Sequence, residues 1–233
     1  MLPESSTLLR EQLDYYRARA TEYDEWWLRL GRYDRGTDLN LQWAAEGATV
    51  SAALAKFRPA GRVLEFACGT GIWTEQLVRT ASHVTALDGS PEMLAINKAR
   101  VHSPLVEYGQ ADLFQWRPAG QYDVVFFGFW LSHVPPERFE EFWELVRRSL
   151  APGGRVFFVD SRCEPTSVAR DHGVPKSDAT VQLRKLNDGR EFHVFKLFYE
   201  AAALQQRLAG LGWRFALRET EHYFLFGEGE RSA

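Results

Sequence analysis

The chain has 233 residues, 45% hydrophobic and 25% charged, which suits one α/β domain with a capping segment. Its formal net charge is −3 with no dense basic block, which argues against nucleic acid, whose phosphates need clustered Lys and Arg. No apolar run approaches the roughly 20 residues of a membrane span. The start Met1–Ser6 does not read as a signal peptide. Two cysteines far apart, Cys68 and Cys163, suggest a reduced, cytoplasmic setting, and no cysteine cluster suggests a metal.

Residues 6–30 read as a helix, broken near Thr21, with Leu8, Leu9, Leu13, Tyr16, Tyr23, Trp27 and Leu30 recurring at spacings of three and four. Tyr15, Tyr16, Tyr23, Trp26 and Trp27 make it strongly aromatic. Such a helix is either pinned to the core by its rings or a lid over a site. Gly31–Gly36 is a loop by its glycines and charges. It carries Arg32 and Arg35, candidates for meeting an anionic group of a substrate if they are not merely solvated. Residues 38–57 form a second helix, opened by Asp38 and ended by Pro59-Ala60-Gly61. A helical cap is therefore expected over 1–58 and a core over 59–233.

Strands and helices then alternate. Strand one covers Arg62–Ala67, its helix Trp73–Arg79, and strand two Val84–Leu87. Ser90 caps the next helix, with Pro91 in its first turn. Strand three is Leu105–Tyr108. Strand four, Tyr122–Phe127, is a continuous apolar run of the kind covered on both faces. A helix follows over 136–150, then a turn at Ala151–Gly154 and strand five, Arg155–Val159, ending at Asp160. This alternation predicts a doubly wound, mostly parallel sheet with helices on both faces. Beyond it, Val181–Leu186 and Glu191–Phe198 flank Asn187-Asp188-Gly189, a hairpin signal, so an extra β-hairpin is expected at about 181–198. A helix over Ala201–Leu211 and strands at Phe215–Glu219 and Tyr223–Gly227 close the chain.

The first strand leads into Glu65-Phe66-Ala67-Cys68-Gly69-Thr70-Gly71, a tight turn of small residues before a helix start that offers free N–H donors. Asp88 lies 23 residues after Glu65, at the end of strand two, where a carboxylate meets the ribose hydroxyls of a nucleoside. These stretches resemble motif I and the following acidic position of the class I S-adenosylmethionine-dependent methyltransferases. Ala67 departs from the glycine common in that family, and it also spoils the three-glycine dinucleotide fingerprint. The resemblance covers roughly residues 15–228. It implies a seven-stranded Rossmann-like sheet whose last strand inserts antiparallel.

The resemblance further implies S-adenosyl-L-methionine as cofactor and S-adenosyl-L-homocysteine as product. Glu65, Ala67, Gly69 and Gly71 would border the amino acid end, and Asp88 and Gly89 the ribose. Met93, Asp112 and Leu113 would meet the adenine, with a helix-capping role as the alternative for Asp112. The Phe129 carbonyl would meet the methionyl ammonium. Aromatic faces attract a sulfonium, and Trp73, Tyr16, Tyr23 and Trp130 are the candidates. His133, after strand four, is the candidate base, because histidine titrates near neutral pH; bonding a loop carbonyl is its other role. Asp160 and Arg162 would orient the imidazole or the substrate, and Trp26, Arg32, Tyr33 and Trp130 would contact the acceptor. The expected activity is methyl transfer to an O, N or C nucleophile of a small, aromatic or partly apolar molecule, by a monomer or homodimer. If the acceptor is already anionic, no base is needed. A cofactor-binding or pericyclic protein that does not methylate, and a nucleotide-dependent oxidoreductase, are the alternatives.

Overall fold

A computed structural model of the chain describes residues 5–173 and 179–232. Met1–Glu4, part of the stretch tested for a signal peptide, lies outside the described residues. The chain opens with α1 (Ser5–Arg19), a single 3₁₀ turn, and α2 (Tyr23–Leu28), so the aromatic segment does break near Thr21. After a second 3₁₀ turn at Gly31–Tyr33 come α3 (Thr37–Phe57), β1 (Gly61–Phe66), α4 (Thr74–Leu77), β2 (Ala81–Asp88), α5 (Pro91–Val101), β3 (Val106–Gln110) and β4 (Tyr122–Gly128). Then follow α6 (Phe139–Ser149), β5 (Leu150–Ser161), β6 (Val181–Lys185), β7 (Glu191–Phe195), α7 (Ala201–Gly210), β8 (Trp213–Glu219) and β9 (Phe224–Arg231).

Seven strands form one sheet in the order β3-β2-β1-β4-β5-β9-β8, and β6-β7 form a separate hairpin. The first five sheet strands pair in parallel, while β9 pairs antiparallel with both β5 and β8. The order reverses between β1 and β4, which opens a crevice at the carboxyl edge of those strands. Leu64, Phe66, Val125, Phe127 and Phe158 point to one face of the sheet, where Phe139, Phe142, Trp143 and Val146 of α6 cover them. Those α6 residues recur at i, i+3, i+4 and i+7, a single apolar stripe. Val63, Val124, Phe126 and Phe157 point to the other face.

Two expectations change. The turn expected at 151–154 belongs to β5: Tyr122 pairs with Leu150 and Val124 with Arg155, so the register shifts and the extra residues bulge within the strand. The helix over 38–57, expected in the cap, packs on the sheet. Its Trp43, Val50, Leu54 and Phe57 are buried among Val63, Phe126, Phe157 and Phe224. The segment that lies over the crevice is the shorter stretch 5–33.

The added hairpin binds that covering segment. The free edge of β7 offers the N–H groups of His193 and Phe195, which donate to Glu11 Oε1 (2.6 Å) and Gln12 Oε1 (3.0 Å) of α1. At the hairpin turn, the Asn187 N–H donates to Glu22 and its side-chain amide to Glu25. Glu46 makes the corresponding tie for α3. Its buried carboxylate accepts from Tyr223 N–H at 2.9 Å, His222 N–H at 3.2 Å and the Thr220 hydroxyl. Glu46→Ala is expected to lower unfolding stability by about 2 kcal/mol, because buried donors lose their acceptor. Urea unfolding measures it, and Glu46→Gln, which keeps one acceptor oxygen, should lose less.

Candidate active site

Two cavities meet under α1 and α2. The larger, about 590 Å³, lies along the carboxyl ends of β1, β2 and β4. Ala67, Gly69, Asp88, Gly89, Met93, Asp112, Leu113, Phe129 and Trp130 line it from the sheet side. Leu9, Leu13, Tyr16 and Tyr23 line it from the covering segment. The smaller, about 60 Å³, is lined by Tyr15, Arg19, Trp26, Tyr33, His172, Arg184 and Lys196, among others. Tyr16, Tyr23, Phe129 and His133 border both cavities, so the two join there.

The larger cavity fits a nucleoside carrying an amino acid. Asp88 Oδ2 accepts the Gly69 N–H (2.9 Å) and Oδ1 the Ser90 N–H (2.8 Å). Each oxygen keeps a lone pair for a ribose hydroxyl. Burial raises the Asp88 pKa, against the opposing pull of the backbone N–H groups of Ser90, Gly69 and Gly89. Gly69 has φ +51° and open space where a Cβ would stand, so a ligand can approach its backbone. Ala67 (φ +50°) and Phe129 (φ +55°) hold left-handed backbone without being glycine. Strain of this kind gathers at ligand sites, and both residues line the cavity. The departure at Ala67 therefore carries a conformational cost that the family's glycine avoids. Asp112 lines the cavity too, but it also caps a turn, accepting from Phe114 N–H and the Gln115 amide. The indole N–H of Trp130, buried in the cavity wall, has no partner among the described residues.

Other expected residues lie elsewhere. Glu65 is 1% exposed, lines neither cavity, and accepts from the Thr74 hydroxyl at 2.7 Å; burial pushes its pKa up to about 8. Gly71 (φ +94°) serves packing, since a Cβ there would stand 2.7 Å from Asn97 Oδ1. Trp73 packs against Trp27, Phe126 and Phe129 beneath Gly128, away from both cavities. Arg32 holds the hairpin and its surroundings, donating to the carbonyls of Lys185 and Leu186 and to His172 Nε2. Arg162 is drawn to the carbonyls of Thr220 and Glu221 and to Glu219. Asp160 is fully buried, accepting from Ser132 N–H and Ser161 N–H and pairing with Lys196 at 3.3 Å. It braces the loop after β4 and meets the smaller cavity through Lys196. Trp26 and Tyr33 do line the small cavity.

His133 differs most from its expected role as a base. Its Nδ1 is 2.5 Å from the Phe195 carbonyl and its Nε2 2.7 Å from the Tyr16 hydroxyl, so both ring nitrogens are engaged. Burial, then the charge of Lys196, pushes its pKa well below the usual histidine value. The residues missed in the sequence are Gln12, Arg19, Asn97, His172, Arg184 and Lys196. Asn97 is fully buried and donates to the Cys68 and Gly69 carbonyls and to Thr74 Oγ1, bracing the motif I loop. Its signal was an amide on the inner face of a helix. The signal for Arg184 was an inverted strand pattern: Gln182, Arg184 and Leu186 point inward while Leu183 is 47% exposed.

Asp88→Ala should weaken S-adenosylhomocysteine binding while sparing the fold, because two bonds to a charged acceptor are lost, each worth roughly 1.5–3 kcal/mol. Calorimetry checks it; an affinity within twofold of the parent would remove Asp88 from the site.

Known proteins share this geometry. A family model described as a methyltransferase domain matches residues 63–154. The ubiquinone biosynthesis O-methyltransferase of Erwinia tasmaniensis is 34% identical over 142 residues, 57% of this chain and 54% of that protein. The Escherichia coli protein of the same name is 32% identical over 166 residues, 67% of this chain and 63% of that one. The chain thus spans between half and two thirds of these two relatives' length. The DhpI–SAH complex superimposes with TM-score 0.79 at 40% identity, covering 98% of both chains. The DhpI–SAM–HEP complex gives 0.81 at 39%, covering 98% of this chain and all of that one. With the sheet order, the cavity at its switch point and these likenesses in agreement, the chain belongs to the class I S-adenosylmethionine-dependent methyltransferases, and S-adenosyl-L-methionine is its cofactor.

Proposed function

We propose that the protein methylates an oxygen of a compact anionic acid held in the small cavity. The observation that carries this is unpaired positive charge under the lid. Arg184 is 8% exposed and, among the described residues, has no hydrogen bond and no ion pair. Arg19, equally buried, has the Tyr33 hydroxyl at 3.2 Å and the faces of Tyr15, Tyr23 and Tyr33, with no carboxylate. Among the described residues, Lys196 is the one of these three with a counter-ion, Asp160. A buried charge without a partner costs several kcal/mol, so three cations against one carboxylate favour an anionic ligand. The fully buried Tyr15 hydroxyl, also without a partner among the described residues, supplies a neutral donor beside them.

Size narrows the acceptor further. A cavity of about 60 Å³ holds a group of a few heavy atoms, whereas a benzene ring occupies one of about 150 Å³. A compact acid therefore replaces the aromatic acceptor expected from the sequence; the rings around the cavity are its walls. The acid needs at least two oxygens, one bound by Arg184 and Tyr15 and one left free to attack.

The cofactor, when bound, supplies a methyl group on a positively charged sulfur. The protein's part is to align the attacking oxygen with that methyl and to exclude water, and alignment of this kind is worth about 7–11 kcal/mol. An acceptor held through one oxygen by Arg184 and Tyr15 would present the electron pair of its other oxygen to that methyl, and the sulfur would leave as a neutral thioether with the carbon–sulfur electron pair. An oxyanion brings no proton to remove, which agrees with a His133 whose nitrogens are both engaged.

Arg184→Met should raise the acceptor KM by about tenfold or more, the loss of one charged hydrogen bond, with S-adenosylhomocysteine affinity unchanged. The rate should show no acidic limb from His133 between about pH 6 and 8, since a pKa lowered from its usual value keeps the ring neutral there. Incubating the enzyme with labelled cofactor and a panel of small acids, amines and phenols, read by mass, tests the proposal. Turnover of a neutral amine or phenol in preference to every acid would overturn it.

A further inference from the structure

The direction of one proton in the wall between the cavities can be read from its neighbours. The Phe195 carbonyl can only accept, so the proton between it and His133 lies on Nδ1. The imidazole is buried, and the charged groups that face it are the cations Lys196, Arg184 and Arg19, which disfavour a second proton. Nε2 is then a bare lone pair that can only accept. The Tyr16 hydroxyl, 2.7 Å away, must therefore donate to it. With its proton committed, the Tyr16 oxygen keeps only lone pairs for the cavities. Among the described residues no polar group other than this acceptor nitrogen is within hydrogen-bonding distance of it. Gln12 closes the circuit from the same helix, donating to the His133 carbonyl at 3.3 Å and accepting the Phe195 N–H at 3.0 Å, so the phenol cannot turn without breaking buried bonds.

We propose that Tyr16 is a catalytic residue whose oxygen accepts C–H···O contacts from the transferring methyl group, and that His133 is the positioning residue that forces it to accept. The methyl has to pass from the large cavity to the small one, and Tyr16 borders both. Carbon-bound hydrogens next to a sulfonium carry partial positive charge, so an oxygen that cannot donate attracts them and orients the carbon for in-line attack. The neighbouring Tyr15, whose hydroxyl is free, has the opposite polarity and suits the acceptor's oxyanion. This inference rests on methyl transfer at the junction and is independent of the acceptor's charge.

Binding without any acceptor tests it apart from the acceptor proposal. S-adenosylmethionine and S-adenosylhomocysteine differ by the methyl and its charge, and contacts of this kind are worth perceptible but modest energy. Tyr16→Phe should reduce the ratio of the two affinities about two- to fivefold in favour of the homocysteine form, with the homocysteine affinity itself unchanged. The methyl resonance of ¹³C-methyl-labelled cofactor bound to the protein should move upfield in proton frequency in the same variant. His133→Ala, which keeps the phenol but frees its proton, should shift the ratio and the resonance in the same direction. Should His133→Ala fail to fold, the near-isosteric Tyr16→Phe decides alone. Equal losses of both ligands, or an unmoved ratio and resonance in Tyr16→Phe, would make Tyr16 only a wall and overturn the proposal.

Discussion

The imidazole of His133 joins three parts of the chain that no sheet hydrogen bond connects. Its Nδ1 bonds the hairpin at Phe195, its Nε2 bonds α1 at Tyr16, and its own backbone belongs to the loop after β4. Gln12 doubles the link between α1 and the loop by donating to the His133 carbonyl, and ties α1 directly to the hairpin by accepting the Phe195 N–H. Buried bonds of this kind are costly to break singly, because each leaves a desolvated partner. The covering helix is therefore placed relative to the hairpin with far more definition than the apolar contact of Tyr15 with Leu186 and Val194 would give.

Charge is divided between the two sides of that junction. The carboxyl of Asp88 lies in the sheet-side wall of the larger cavity, with Glu65 buried behind it, and burial raises both their pKa values. Cations lie under the lid and hairpin, with Arg19 at the end of α1, Arg184 on β6 and Lys196 just beyond β7. The lid and the hairpin thus supply opposing walls of one positive cavity. Like charges brought together without water repel strongly at low effective dielectric. The same cations disfavour a second proton on His133, whose Nε2 lies against the Tyr16 hydroxyl at the crossing point.

The part legible in the sequence was the part built from local pattern. Val63–Gly71 is a strand, a tight turn and a helix start because its apolar run and small residues permit nothing else nearby, and Asp88 follows at a strand end that its own alternation marks. Aromatic periodicity located α1 and α2, and Asn187-Asp188-Gly189 located the hairpin turn. Roles within those motifs were less legible. Gly71 is glycine because of Asn97, and Glu65 is acidic beside Thr74; both belong to the loop's support rather than to its ligand face.

The smaller cavity could not be read in this way. Arg19 of α1 is far along the chain from Arg184 and Lys196 of the hairpin region, and the inverted strand pattern that buries Arg184 does not say what its side chain will face. Arg32 and Arg162 were equally good candidates by sequence, and both are spent on backbone carbonyls. Which cation keeps a free guanidinium depends on which carbonyls and carboxylates the folded chain brings within reach. The sequence by itself determined the sheet, the cofactor loop and the carboxylate at Asp88, since periodicity and turn chemistry act over a few residues. Only the tertiary structure decided that His133 bonds Phe195 and Tyr16, and that the Arg184 side chain lines a cavity with no hydrogen-bond or ion-pair partner among the described residues. Hydrogen-bond direction and charge compensation are set by neighbours distant in the chain.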